Sequence, residues 1–163
     1  DLMASSPRYA QLCTRVESLR RALLPPAFDP TGVYSDDDIT RTLAFRVLAH
    51  AEVEAFIEER AWSSVTNALD AWTKHQRIGR TLMALLAFST NHGGEPPTTL
   101  EPPQPSQKRG WPDRIEIDRR IANAATAYWH VKNGNHGLKE ANLMGLLLPV
   151  GITPALQIGR AHV

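Results

Sequence analysis

The sequence predicts an all-α protein, an antiparallel up-and-down helical bundle. Three observations predict it. Apolar residues recur at spacings of three and four along most of the chain. No stretch shows the strict apolar–polar alternation of a strand. Proline and glycine cluster between the periodic segments instead of inside them.

The first helix is expected over Ser6 to Leu24, where Tyr9, Leu12, Val16, Leu19 and Leu23 trace one face. Arg8, Arg15, Arg20 and Arg21 make the remainder basic, and Pro25-Pro26 stops it. A second helix starts at Ser35, an N-cap with Asp38 in the capping-box position. Asp36, Asp37 and Asp38 suit the positive end of its dipole. Ile39, Leu43, Val47, His50, Val53 or Glu54, and Ile57 form its stripe, widened by Phe45, Leu48 and Phe56. No proline or glycine interrupts residues 35 to 78, so the segment reads as one long helix or as two with a bend near Ser63-Ser64. A further apolar run, Leu82 to Phe88, closes at Asn91, Gly93 and Gly94.

Residues 95–112 carry six prolines and read as an exposed loop inside the domain. Helix resumes over 113–131, with Ile117, Ile121, Ala125 or Ala124, and Tyr128 on one side. "NGNHG" breaks it, and "LKEANLMGLLL" is a short apolar helix ended by Pro149 and Gly151.

Composition narrows the function classes. The 163 residues hold 42% hydrophobic and 21% charged side chains, as one ordinary globular domain would. Lys and Arg number 18 against 17 Asp and Glu, so no global field draws nucleic acid or a membrane surface. The single cysteine, Cys13, excludes an internal disulfide framework; it is expected to face the core. With no membrane span or signal-peptide pattern, the expected location is cytoplasmic. Met3 is a native-looking start, which would leave Asp1 and Leu2 as read-through.

Two stretches carry candidate chemistry. "NHGLKEANLMGLLLPVGI" places glycines around Asn135-His136, and the helix expected to begin near Leu138 could present free N–H groups to an anion beside Lys132 and His136. The same pattern also reads as a helix–turn–helix connection in which Asn135 caps. "AHAEVEAFIEE" places His50 and Glu54 one turn apart, which suits a proton-transfer pair or half a metal site. No second pair has metal-ligand spacing, so neither metal nor cofactor is expected. The alternative is a polar pair linking helices. Trp62, Trp72, Trp111 and Trp129 read as core or edge anchors, and Lys108, Arg109 and Arg114 as a solvated cluster. No glycine-rich phosphate loop, G-x-S-x-G or CxxC is present.

Taken together, "VYSDDDITRTLAFRVLAHAEVEAFIEE" and the later "NHGLKEANLMGLLLPVGI" resemble the HEPN superfamily, and within it the RiboL-PSP-HEPN type of prokaryotic nuclease. The resemblance covers roughly residues 33 to 152 and singles out His50, Glu54, Asn135, His136 and Gly137. It implies a helical bundle, a homodimer, metal-independent RNA cleavage, and a defence or toxin–antitoxin setting with an antitoxin protein as partner. In such proteins an arginine separated from a histidine by four to six residues carries the chemistry. The arginine holds the scissile phosphate and the histidine moves a proton.

Here the sequence departs from the family. Arg46 and His50 have three residues between them, Arg120 and His130 nine, and Arg160 and His162 one. The catalytic residues are therefore unassigned, and these 163 residues are expected to be inactive. Ile158 to Val163 translates ATC GGA AGA GCA CAC GTC, a string that looks like a widely used sequencing adapter. The native domain is accordingly expected over 1–157, with its last core helix and catalytic motif downstream of Gln157. A bundle lacking that helix is expected to expose Leu146, Leu147 and parts of the 39–57 stripe. The alternatives are a non-catalytic HEPN-like module binding nucleotide or a partner protein, and a helical interaction domain of another lineage.

Overall fold

The computed structural model describes residues 6–88 and 114–152. Every regular element among them is helical: α1 (Pro7–Leu23), α2 (Asp36–His75), α3 (Arg80–Phe88), α4 (Arg114–Asn133) and α5 (Glu140–Leu147). A 3-10 turn, Leu148–Val150, follows α5. The chain divides into two units, Asp1–Arg60 and Ala61–Val163, and α2 contributes to both. The expected features at Asn91, Gly93 and Gly94, in the proline-rich segment 95–112, at Trp111 and in the tail 158–163 lie outside the described residues.

Local chemistry sets the helix ends in the first unit. Ser6 caps α1 by accepting from the Tyr9 N–H at 3.2 Å, with Pro7 at the first helical position, where its missing N–H costs nothing. Glu17 accepts from Arg20 at 2.7 Å and from Arg21 at 2.8 Å, and their hydrogen bonds hold its carboxyl down at about 2. The expected capping box opens α2: Asp38 N–H donates to Ser35 Oγ at 3.1 Å, and Ser35 N–H returns to Asp38 Oδ2 at 3.3 Å. No bend is needed near Ser63-Ser64, since α2 is one helix of 40 residues.

The first unit is an antiparallel pair. Arg8 binds Glu59 and Arg15 binds Glu52, while the Tyr9 ring meets Phe56 edge-on at 6.2 Å. Falling numbers on α2 against rising numbers on α1 fix the direction. Leu12, Val16, Leu19 and Leu23 are half-buried, yet none of the described residues up to Arg60 is buried. Two helices alone cannot enclose a side chain on all sides. Ile39, Leu43 and Val47 are exposed, in line with the expectation for the 39–57 stripe.

Cys13 departs from expectation, being exposed and not facing a core. It sits one turn from Tyr9 on the flank of the apolar face, and its hydrogen bond with the Tyr9 hydroxyl pushes that group up from its usual value.

The core lies in the second unit. Ala61 and Val65 of α2, Leu82 and Leu85 of α3, and Ile121, Ala124, Ala125 and Tyr128 of α4 pack with Val150. The face expected on α4 is the buried one, with alanines where the helices approach closely. Leu146 corrects another expectation. It is fully buried, because α5 and its 3-10 turn fold back onto α3 and α4 and cover it; Leu147 is half-buried.

Candidate functional site

His50 and Glu54 lie one turn apart on α2, and the structure does bring their side chains together. The His50 Nδ1 to Glu54 Oε2 separation is 3.9 Å, within ion-pair range and beyond a hydrogen bond. The imidazole is exposed and the carboxylate half-buried. Among the described residues no group of three or more His, Cys, Asp or Glu side chains could hold a metal ion.

Asn135, His136 and Gly137 form the turn between α4 and α5. Gly134 N–H closes α4 on the His130 carbonyl at 2.9 Å, and Asn135 N–H on that of Lys132 at 3.2 Å. Gly137 has φ +100°, a left-handed conformation that glycine adopts without steric cost. The Asn142 side chain ties this turn to α5. Its Nδ2 donates to the His136 carbonyl at 2.9 Å and to the Gly137 carbonyl at 3.2 Å. An asparagine within "LKEANLMG" gave only a weak signal, since its role depends on the turn returning over the first turn of α5. That helix starts at Glu140, later than the expected Leu138, and Lys139 at the cap makes no side-chain cap bond. Glu140 already places negative charge at the positive end of the dipole. The turn joins α4 to α5. Residues 50 and 54 belong to the first unit and residues 135–137 to the second.

Trp62 and Trp72 behave as anchors. Trp62 stacks on Tyr128 with ring centroids 6.4 Å apart and planes at 7°. Trp72 Nε1 donates to Asp118 Oδ1 at 2.7 Å, tying α2 to α4 beside a cavity of about 280 Å3 lined by Leu69, Thr73, Ile121 and Ala122. Trp129 stays exposed, edge-on to His130 at 5.1 Å. Of the basic cluster, Lys108 and Arg109 lie outside the described residues, and Arg114 opens α4.

A second concavity was not expected from sequence. It is an open concavity of about 590 Å3 between the last part of α2 and the start of α3, and Ser64, Asn67, Arg77, Arg80 and Thr81 are the polar residues along it. Arg77 and Arg80 follow a residue in the left-handed region, Gln76 at φ +52°. Gln76 N–H bonds the Trp72 carbonyl at 2.7 Å and Arg77 N–H that of Ala71 at 3.2 Å, so α2 ends in a wrapped cap without glycine. "HQRIGR" carries no motif that announces this turn.

No family model, curated protein or solved structure matches the chain. Among the described residues no helix is long and apolar enough to cross a membrane.

Proposed function

We propose that these residues form the helical scaffold of a HEPN-like, metal-independent ribonuclease, and that the arginine and histidine that cut RNA are not among them. The observation that carries this reading is the order of two segments in one chain: the His50–Glu54 helix, and the Asn135-to-Gly151 segment between α4 and the 3-10 turn. That every regular element among the described residues is helical supports it. On this reading RNA is the substrate, the working unit is a homodimer, and an antitoxin protein is the natural partner in a defence or toxin–antitoxin system.

The chemistry follows from what is present. An imidazole can move a proton in RNA cleavage only if a reacting phosphate is held beside it. Cleavage therefore requires an arginine at the family spacing. The test pairs residues 1–163 with the protein encoded when their locus is read beyond Val163, each incubated with RNA in excess chelator. Residues 1–163 should leave RNA intact. The longer protein should cut it, and lose that activity when the histidine of its Arg-to-His pair becomes alanine. Cutting that survives this substitution, or cutting by residues 1–163 alone, overturns the reading.

A second reading, a non-catalytic HEPN-like module for nucleotide or a partner protein, is favoured by two details. The His136 and Gly137 carbonyls accept from Asn142, and His50 stands 3.9 Å from Glu54. A longer protein without an Arg-to-His pair, binding its partner and sparing RNA, would establish this second reading.

A further inference from the structure

In the first unit α2 turns one side to α1 and leaves another uncovered. Its contacts with α1 run through Glu52, Phe56 and Glu59. Helical periodicity puts Asp36, Ile39, Leu43, Arg46, Val47 and His50 on the other side, at spacings of three and four. All six are exposed, and Ile39, Leu43 and Val47 keep 49%, 56% and 67% of their surface open. A single exposed apolar residue is ordinary on a protein surface. Three on consecutive turns of one face form a stripe, and a stripe marks an interaction surface.

The charges along the stripe say what fits it. Asp36 stands at its N-terminal end, and Arg46 and His50 stand at its C-terminal end. The neighbouring acids are engaged locally: Asp37 binds Arg41 at 2.7 Å, and Asp38 Oδ2 accepts from Ser35 Oγ at 2.6 Å. Glu54, one turn past His50, is half-buried and lies 3.9 Å from its Nδ1, so Arg46 is the cation nearer the apolar centre. An acid at one end and a base at the other make the stripe complementary to itself run backwards. Two copies laid antiparallel put apolar residues on apolar residues and the acidic end of each against the basic end of the other. A parallel pairing would set Asp36 on Asp36 and Arg46 on Arg46, and like charges brought together across an interface repel.

We propose that the face of α2 carrying Ile39, Leu43 and Val47 docks a second copy of this chain, the two α2 helices running antiparallel about a two-fold axis. The contact from Asp36 to His50 spans about four helical turns. A contact this short falls at the low end of protein interfaces, below about 1,200 Å2 in total, so the dimer forms reversibly. The proposed function calls for a homodimer without naming its surface; the stripe follows from the residues of α2 and stands whether or not RNA is cut.

Sedimentation equilibrium of residues 1–163 over a concentration series tests it. The wild type should pass from monomer to dimer as concentration rises. Leu43→Asp puts a charge in the middle of the stripe, at an exposed position, and should weaken the dimer by about tenfold or more. Arg46→Glu sets acid against acid and should weaken it too. Asp36→Lys/Arg46→Glu reverses both ends and should recover association lost in Arg46→Glu. Circular dichroism identifies which variants fold, and Val47→Lys replaces Leu43→Asp if that variant does not. The readout is mass, so failure here is distinct from failure to cut RNA. A chain that stays monomeric throughout the series, a dimer left intact by a folded stripe variant, or a charge reversal that recovers nothing overturns the proposal.

Discussion

Replacing Tyr128 by phenylalanine removes one oxygen from the centre of the second unit. The ring is fully buried and stacks on Trp62, so its packing survives the change. What is lost is the hydroxyl donating to the Leu146 carbonyl at 2.8 Å. That carbonyl belongs to the last turn of α5, where carbonyls have no partner within the helix. Its neighbours are served by backbone: Met144 by the Leu148 N–H, and Leu147 by the Ile152 N–H at 3.0 Å. Leu146 depends on Tyr128, and in a buried position water cannot replace the hydroxyl. Leaving a buried acceptor unsatisfied costs about 1–3 kcal/mol. For a unit of roughly a hundred residues, each kcal/mol corresponds to about 4–8 °C in Tm. Urea unfolding followed by circular dichroism should show a lower midpoint with unchanged slope. Trp129→Phe, on the exposed side of the same helix, is the control and should change little. A Tyr128→Phe loss no greater than the control's would refute the claim that this hydroxyl closes the end of α5.

Three further outcomes follow from the same geometry. Gly151→Ala places a Cβ at φ +80°, 3.1 Å from Arg80 Cγ and 3.4 Å from the Arg80 carbonyl, and should destabilise by about 1–3 kcal/mol in urea unfolding. Gln76→Gly relieves a left-handed non-glycine residue and should raise the urea midpoint by up to about 1 kcal/mol; a loss would show that the Gln76 side chain earns its conformation. Glu17 has its carboxyl held down at about 2 by Arg20 and Arg21, below the ordinary value of 4.5. Its folded value is depressed, so its stabilisation is present above about pH 4.5 and is lost as pH falls through about 2. The difference in unfolding midpoint between the wild type and Glu17→Gln should shrink over that window; a difference independent of pH would contradict the pairing.

Much of the helical layout was legible in sequence because it is set by local rules. The Ser35–Asp38 box, the Pro25-Pro26 stop and the alanine-lined face of α4 each depend on residues within one or two turns. The candidate site was less legible. His50 and Glu54 were visible through i, i+4 spacing alone, but their 3.9 Å separation is a matter of rotamers. Asn142 escaped notice because its bonds to His136 and Gly137 form only after the chain has turned.

What the sequence by itself determined is the all-helical class, most helix limits and the absence of an arginine followed by a histidine with four to six residues between them. These follow from backbone hydrogen bonding, capping and counting, none of which needs a distant contact. Tertiary structure alone decided that Leu146 is buried, although it is apolar like the exposed Ile39, Leu43 and Val47. It alone placed Arg77 and Arg80 along one concavity between the end of α2 and the start of α3. Burial depends on which surfaces meet after folding, and a periodic pattern names a face without naming what will cover it.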